Sequence, residues 1–370
     1  MKKKLKKCIR YWLKKKKKKK SKKKILKKMN EYLNKIHEIA KEIEEKNPQK
    51  KITIMEVCGG HTNTIMKYGI RDILPKNINL ISGPGCPVCV TSQRDIDNIV
   101  TLAEKGIPVA TYGDMMDVPG SNFNSLSKTK EKGANVTLIY SAQEMLKPEN
   151  KDKVFFGIGF ETTTPMTAYL LNKGICVYSI HKIMPPPMKA IVNETKIDGF
   201  IDPGHVSAII GTKFWNELNV PQVISGFKKD QIIRGIYLLL KLIKENKNEV
   251  INDYDEVVKP LGNLKAQELI KKTMKLYDAD WRGLGNIPES GLEPKDDNLN
   301  ARIKYHELIK DVISKENPAC RCGEILKGIC EPKDCPLFSK ACTPKNPMGA
   351  CMVSETEGAC GIAYKFLNKN

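Results

Sequence analysis

The sequence has no run of 18 apolar residues, and aromatic side chains make up only 6% of its 370 residues. The missing apolar run argues against a membrane-spanning helix. No apolar stretch follows the basic start of the chain, so a secretory signal is not predicted. The scarcity of aromatic residues is a poor match for a specific nucleic-acid binder. We therefore expect a cytoplasmic protein without a specific nucleic-acid partner.

Acidic residues are absent from residues 1–30, which hold 17 Lys and one Arg. The rest of the chain carries 45 basic and 42 acidic side chains, so most of the net charge of +21 belongs to this lysine-rich extension. Like charges repel each other, which predicts a solvated or fraying helical extension. Non-specific binding to RNA or to an anionic membrane surface through counterion release is the alternative.

Short apolar segments alternate with helical stretches after the extension. The predicted strands are KITIMEV, INLISG, IPVATY, NVTLIY, KVFFGIG, ICVYSI, GFIDP and PQVISGF. The helical segments include NEYLNKIHEIAKEIEEKN, KDQIIRGIYLLLKLIKENK and NLKAQELIKKTMKLYDADW, and RGLGNIPESGLEPKDDN is expected to be a loop. Strands that alternate with helices are typical of doubly wound α/β proteins with parallel sheets.

Two of these strand-to-helix units look like an internal repeat. VCGGHTNTIMKY and GIGFETTTPMTAYL superpose with Gly59 on Gly159 and His61 on Glu161. A general preference for Gly and Thr in such turns is the alternative explanation. We favour two similar α/β domains, in which threonines cap the helix starts and facing strand ends form a ligand cleft. The candidate residues at strand ends are Cys58, His61, Cys86, Cys89 and Glu161.

The domain boundaries follow from these patterns. We predict a lysine-rich extension at 1–30, a first α/β domain at 31–147 and a second α/β domain at 148–250. Residues 251–370 are predicted to form a small helical, cysteine-rich domain. The expected fold class is therefore α/β, with two similar doubly wound domains and a small helical iron–sulfur domain.

The chain contains 12 cysteines, and seven of them crowd into its last part. Such a density in an intracellular chain favours metal or redox chemistry over a framework of structural disulfides. The spacing contains no C-x2-C knuckle, which favours an iron–sulfur cluster over a structural zinc ion. The seven residues are Cys320, Cys322, Cys330, Cys335, Cys342, Cys351 and Cys360.

The remaining candidates stand at strand ends. Cys86-Pro-Val-Cys89 lies between a strand and a predicted helix start, where a lowered thiol pKa permits a dithiol/disulfide pair, although half of a metal site is equally compatible. Cys58 precedes two glycines that let a ligand approach, which suits a soft metal or a nucleophile. A buried inert cysteine is the alternative there. Further polar side chains follow other strands: Glu161, Asp202 and His205.

The motifs MEVCGGHT, SGPGCPVCV, GFETTTP, DPGHVSAIIG and the C-terminal cysteine pattern together resemble the HypD family of hydrogenase maturation proteins, over about residues 30–365. The resemblance implies two similar α/β domains and a cluster domain. It also implies a scaffold on which the Fe(CN)2CO group of [NiFe]-hydrogenase is assembled. The implied partners are a HypC-type chaperone and a HypE–HypF pair that delivers cyanide.

Residue roles follow from the same resemblance. Cys58 would hold the iron, and His61 and Thr62 would line its site. Cys86 and Cys89 would form a redox pair near the iron. The family's cluster domain is similar to that of ferredoxin:thioredoxin reductase, which implies a [4Fe–4S] cluster and a neighbouring thiol pair. The implied cluster ligands are Cys320, Cys335, Cys342 and Cys360, and the implied pair is Cys322 and Cys351, with Cys330 left over.

A mechanism that joins these roles is an electron relay. Electrons would pass from the cluster through the two thiol pairs to the iron at Cys58, while Glu161 and His205 handle protons. One competing interpretation is a ferredoxin-dependent disulfide reductase. Another is a zinc- or nucleic-acid-binding protein that uses the basic extension.

Overall fold

The computed structural model describes the backbone of residues 2–367 and the side chains of residue 23 and residues 25–367. The strands are β1 (Ile52–Glu56), β2 (Ile78–Ser82), β3 (Val109–Tyr112), β4 (Val136–Ile139), β5 (Val154–Gly159), β6 (Val177–Lys182), β7 (Gly199–Pro203), β8 (Gln222–Ser225), β9 (Val250–Asn252), β10 (Met274–Trp281) and β11 (Gly285–Pro294). All eight strands predicted from apolar segments are confirmed.

The helices differ widely in length. They are α1 (Lys2–Lys46), α2 (Gly59–Lys67), α3 (Gln93–Glu104), α4 (Gly113–Met116), α5 (Leu126–Glu131), α6 (Thr164–Leu171), α7 (Pro185–Glu194), α8 (Gly204–Ile210), α9 (Lys229–Glu245), α10 (Leu264–Thr273), α11 (Ala301–Lys304), α12 (His306–Ile309), α13 (Cys322–Leu326), α14 (Ala350–Val353) and α15 (Ala359–Leu367). No helix in the described part of the chain is long and apolar enough to cross a membrane.

The first sheet has the order β2-β1-β7-β8-β9 and is parallel throughout. Helix α9 packs on this sheet, and helix α1 packs on α9. The apolar stripe of α1 explains that contact, because Ile36, Ile39 and Ile43 recur at helical spacing and are buried with the core of this sheet. Helix α1 ends at Lys46, two residues before Pro48, as predicted.

The second sheet has the order β10-β11-β6-β5-β3-β4. Strands β4, β3, β5 and β6 are parallel, and the β10–β11 hairpin adds two antiparallel strands at the edge of β6. The two sheets therefore share a strand order. In each sheet, the strand that comes first along the chain lies between the second and the third: β1 lies between β2 and β7, and β3 lies between β4 and β5. The α/β fold class with two similar doubly wound sheets is confirmed.

Two sequence expectations are wrong in detail. The segment MKLYDADW, predicted as helix, forms β10, and most of the predicted loop after it forms β11. The two strands gain their hydrogen bonds from each other, and β11 also pairs with β6, so tertiary pairing overrides the weak local pattern. Of the predicted helical segment NLKAQELIKKTMKLYDADW, only the first part is helical, and it forms α10.

The grouping of strands also differs from the expectation. The first four strands do not share one sheet: β1 and β2 belong to the first sheet, whereas β3 and β4 belong to the second. The chain returns to the first sheet only at β7, so each sheet is built from separated segments. The domain boundaries at residues 30, 147 and 250 stay a prediction, as does the separate iron–sulfur domain.

The segment after β11 carries only short helices, α11–α15, among the described residues. Its buried side chains join the same apolar core as Met55 of β1 and Phe156 of β5. The cysteine-rich end of the chain is thus packed against both sheets rather than set apart from them. The solvation of the lysine-rich extension stays a prediction, because most of its side chains lie outside the described residues.

Candidate functional site

A cavity of about 280 Å³ lies where the carboxyl ends of the two sheets face each other. Its walls come from the ends of β1, β3, β5 and β7, and from the cysteine-rich segment. The lining residues include Cys58, Pro87, Tyr112, Asp114, Gly159, Thr162, His205, Thr356 and Glu357. This placement agrees with the predicted cleft, because ligands of open α/β sheets bind at strand carboxyl ends where the strand order reverses.

Cys58 follows β1 and is the residue that precedes helix α2. Two glycines allow other segments to pack against it. A Cβ on Gly85 would lie 2.3 Å from the backbone nitrogen of Cys58, and a Cβ on Gly59 would lie 2.4 Å from Cβ of Glu357. The backbone N–H of Gly59 also donates to the carbonyl of Gly85, at 3.1 Å. The glycines therefore fix the half-buried thiol at the meeting point of three segments.

The thiol is surrounded by groups that favour its neutral form when no metal is bound. Burial raises the pKa of Cys58 to about 12, and the carboxylates of Glu56 and Glu357 add to that effect. Backbone N–H groups of Gly60 and His61 act in the opposite direction. A soft metal ion in the cavity would have to displace this proton, as thiolate ligation generally requires.

Glu56 is a site residue that the sequence analysis missed. It is fully buried at the end of β1, and burial raises the pKa of its carboxyl. One oxygen accepts from the backbone N–H of Cys58 at 3.1 Å, and the other accepts from the hydroxyl of Thr62 at 2.5 Å. Thr62 therefore positions Cys58 through Glu56. A carboxyl within an apolar strand just before the cysteine was the available signal.

His61 and His205 both stack on Phe227, with ring centroids 4.7 Å and 4.0 Å from the centroid of the phenyl ring. His61 is fully buried, donates a hydrogen bond from Nε2 to the carbonyl of Ser225 (3.3 Å) and does not line the Cys58 cavity. Burial lowers the pKa of His61 to about 4, so the ring is neutral. His205, in contrast, is exposed and lines the cavity.

Glu161 lies at the end of β5 but turns away from the cavity. One carboxyl oxygen accepts from the backbone N–H of Met184 at 2.9 Å, and the other has no partner within the described residues. Burial raises the pKa of Glu161 to about 7. Asp202, on β7, is fully buried and burial also raises its pKa. Neither carboxyl lines the cavity, whose nearest carboxylates are Asp114 and Glu357.

The predicted threonine caps are wrong. Helix α2 begins after Cys58 and helix α6 begins after Thr163, and neither has a side-chain cap. The threonines of the repeat donate instead of accepting: Thr62 donates to Glu56, and Thr164 donates to the carbonyl of Phe160 at 2.8 Å. A buried acceptor in the same turn competes more effectively for the hydroxyl than a helix N–H does.

Cys86 and Cys89 form a disulfide, with Cα atoms 5.3 Å apart. Both are buried, and the neighbouring Gly85, Pro87 and Val88 line the Cys58 cavity. The pair thus lies directly behind the cavity wall. The predicted helix begins at Gln93, with Ser92 as its cap, so the pair precedes the helix by several residues.

The cysteine-rich segment brings six of its seven thiols around one small cavity. The Sγ atoms of Cys322 and Cys351, the implied pair, lie 2.6 Å apart in the buried core. The hydrogen bond from Cys351 lowers the pKa of Cys322, and the charge of Arg282 acts in the same direction. The six cysteines around the cavity are Cys320, Cys322, Cys335, Cys342, Cys351 and Cys360.

This donor set fits a thiolate-ligated cluster by its chemistry, whereas the cavity between the thiols has a volume of only about 10 Å³. A Cβ on Gly349 would lie 2.6 Å from Sγ of Cys320 and would fill the cavity wall. Burial and the neighbouring thiols raise the pKa of Cys320 to about 12, so these groups repel one another as thiolates unless a cation joins them. Among the described residues, no three His, Cys, Asp or Glu side chains already form a metal-binding group.

Cys330 lies apart from the other six. It lines a separate cavity of about 60 Å³ together with Thr62, Arg71 and Glu331. Burial raises the pKa of its thiol. The structure therefore separates the seventh cysteine from the cysteine cavity, a distinction that spacing alone could not make.

The fold and the site define a class of protein: a two-sheet α/β protein with a lone thiol in the cleft between the sheets and a second, cysteine-rich centre behind it. Comparisons with known proteins identify the family to which the chain belongs. Residues 31–367 match the model of the family described as "HypD: Hydrogenase formation hypA family".

Similar proteins cover nearly the whole chain. The hydrogenase maturation factor HypD2 of Bradyrhizobium diazoefficiens is 41% identical, over 87% of this chain and 91% of its own. HypD of Rhizobium leguminosarum is 40% identical over 86% and 89% of the two chains, and HypD of Escherichia coli is 38% identical over 86% and 90%. The chain belongs to the HypD family of hydrogenase maturation factors.

Proposed function

We propose that this maturation factor is a scaffold on which the Fe(CN)2CO group of [NiFe]-hydrogenase is assembled, with iron as the cargo held at Cys58. The observation that carries the proposal is the cavity of about 280 Å³ at the facing strand ends, with one thiol in its wall. Thiolate suits a soft, low-spin iron centre, and the cavity leaves room for small diatomic ligands.

The surroundings of Cys58 support a binding role. Glu56 and Thr62 hold the backbone of the cysteine, so the thiol is presented in one orientation. His205, exposed in the cavity wall, is placed to exchange protons with a bound group. Glu161 is buried behind the wall; with a pKa of about 7 it serves better as a proton reserve than as a ligand.

The two thiol pairs support redox chemistry near the cargo. Each pair, when oxidised, takes up two electrons and two protons to become two thiols. The pairs are linked through one contact region: the backbone N–H of Arg282 donates to the carbonyl of Val90, next to Cys89. A Cβ on the following Gly283 would lie 2.2 Å from Cα of Gly323, next to Cys322.

The cysteine cavity would hold a [4Fe–4S] cluster through Cys320, Cys335, Cys342 and Cys360, the ligands implied by the family resemblance. When bound, that cluster would supply one-electron transfer. The pair Cys322 and Cys351, which lines the same cavity, would remain free of ligation. We further propose that a HypC-type chaperone and a HypE-type cyanide donor are the partners, because an iron cargo must be delivered to and removed from the open cavity.

The test is an infrared spectrum of the protein, purified without oxygen after co-expression with a HypC-type partner. Metal-bound cyanide and CO absorb in a window where proteins are silent. We expect bands there that disappear in Cys58→Ala and persist in Cys176→Ala, which removes another half-buried free cysteine that does not line the cavity. Bands that persist in Cys58→Ala would refute the assignment of the iron site.

A further inference from the structure

A second cavity, of about 250 Å³, lies beside the cysteine-rich segment and shares Cys320, Cys322 and Gly349 with the wall of the cysteine cavity. The loop at 119–123, the start of α3 and residues 315–322 form its walls. Cys322 lines both this cavity and the cysteine cavity, whereas Cys351 lines only the latter. Of the pair, only Cys322 therefore borders the second cavity. The space suits a small molecule and is too small for a folded partner.

The wall of this cavity carries a buried positive charge. Arg282 is 5% exposed. Its Nε donates to the carbonyl of Thr91 at 2.9 Å and its Nη1 donates to Oε1 of Gln93 at 3.1 Å. Its Nη2 is buried and has no partner within the described residues. Buried guanidinium groups are normally paired, so the unfilled donor indicates a missing acceptor.

Other charges around the cavity leave this positive charge incompletely balanced. Glu316 is the only carboxylate in the described cavity wall, and it lies 3.8 Å from Nη1 of Arg282 with a half-exposed side chain. Lys315 adds a second positive charge to the wall. The cavity therefore favours a negatively charged occupant, and a carboxylate is one of the anionic groups whose geometry matches the planar guanidinium of an arginine.

We propose that this cavity binds a small thiol that carries a carboxylate, and that this thiol reduces the Cys322–Cys351 disulfide. The inference rests on the proposed redox role of that pair. The carboxylate would complete the hydrogen bonding of Arg282, which places the sulfur of the ligand at the cavity wall that Cys322 forms.

The reaction balances with the thiol as the only reductant. A thiolate attacks Sγ of Cys322, the Cys322–Cys351 bond breaks, and Cys351 leaves as a thiolate that takes up a proton. A second thiolate attacks the ligand sulfur of the mixed disulfide and releases Cys322. Two thiols are thereby oxidised to one small disulfide, and the protein gains two electrons. Attack at Cys322 follows from geometry, because Cys351 does not line the cavity.

The test uses the full-length protein after mild oxidation. Peptide mass spectrometry first asks whether Cys322 and Cys351 form a disulfide, and then follows its reduction by 3-mercaptopropionate and by the neutral 2-mercaptoethanol. A small model disulfide in solution gives the intrinsic ratio of the two rates. Relative to that ratio, we expect the protein to prefer the anionic thiol by about tenfold, as one charge-assisted hydrogen bond predicts.

Two variants test whether Arg282 causes the preference for the anionic thiol. Arg282→Gln should abolish it, whereas Arg321→Gln should keep it. Arg321 is a matched control because it adjoins Cys322 in sequence, pairs with Glu324 (Nε–Oε2 3.0 Å) and does not line the cavity. Should Arg282→Gln fail to fold, acetate at constant ionic strength should slow reduction of the unaltered protein by the anionic thiol only.

The outcomes separate this inference from the proposed function. A disulfide that forms but is reduced without preference for the anionic thiol, or with equal preference in Arg282→Gln, overturns the inference and leaves the scaffold proposal intact. Failure to form the Cys322–Cys351 disulfide at all would overturn both the redox role of the pair and the inference. In either case, infrared bands that disappear in Cys58→Ala would still support the proposal that Cys58 holds the iron.

Discussion

Gly85→Ala is the substitution that most directly tests how the cleft holds its thiol. A Cβ at this position would lie 2.3 Å from the backbone nitrogen of Cys58, 2.4 Å from the carbonyl carbon of Val57 and 2.5 Å from Cα of Cys58. All three atoms belong to the backbone, so no side-chain rotation relieves the clash. Restoring ordinary contact distances requires the two segments to separate by about 1 Å.

This separation has a modest effect on stability and a large effect on the site. Overpacking of this kind costs about 1–3 kcal/mol of the free energy of unfolding. The same shift weakens the bond from the N–H of Gly59 to the carbonyl of Gly85, which is 3.1 Å long, and moves Cys58 in the cavity wall. A misplacement of about 1 Å can reduce the rate of a positioned reaction by about a hundredfold.

The assay is hydrogenase activity in a host that lacks its own HypD-type factor, together with urea unfolding of the purified variant. Gly113→Ala is the matched control, because a Cβ there would make an ordinary contact of 3.6 Å with Leu138. We expect Gly85→Ala to lose most maturation activity while staying folded, and Gly113→Ala to keep it. Full activity of Gly85→Ala would refute the view that this contact fixes the thiol.

Three further predictions concern other contacts. Arg302→Met should lower the free energy of unfolding by about 3–5 kcal/mol at pH 7, because it leaves buried Asp95 without its 2.6 Å ion pair. Burial opposes ionisation of Asp95, but Arg302 outweighs it and lowers the pKa of this carboxyl. The contribution of the pair is therefore present above the unfolded pKa of about 3.9 and is lost as the pH falls below that value, so urea unfolding at about pH 3 should show a smaller difference between variant and parent than unfolding at pH 7. Thr62→Val should reduce maturation activity roughly tenfold by releasing Glu56, and an unchanged activity would contradict the positioning role. Cys330→Ser should leave the iron and sulfide content unchanged, since Cys330 lines a different cavity from the other six thiols; a halved iron content would show it to be a ligand.

Much of the fold was predictable from local pattern. The eight apolar segments between residues 51 and 228 all form strands, because a buried parallel strand leaves a continuous apolar run. The hairpin of β10 and β11 was not predictable in the same way. Its residues are largely exposed on one side and include several charges, so its strand conformation comes from the pairing of β10 with β11 and of β11 with β6.

The candidate site was predictable in its residue types and less so in its arrangement. Cys58 and His205 line the cleft as strand-end positions suggest, and Cys322 meets Cys351 as the family resemblance implies. His61 and Glu161 also lie at strand ends, yet their side chains turn into the core and bind Ser225 and Met184 instead. Sequence position fixes where a strand ends, but the direction of a side chain in the following turn depends on which partner packs against it.

The sequence by itself determined the class of elements, the family and the set of thiols, because periodicity, glycine turns and cysteine spacing are local properties of the chain. The tertiary structure decided which sheet each strand joins, since the chain leaves the first sheet after β2 and returns at β7. It also decided that Glu357, three hundred residues from Cys58, shares its cavity, and that Cys330 does not share a cavity with the other six clustered thiols. These are contacts between distant segments, and only the packing of both sheets against the C-terminal segment brings them together.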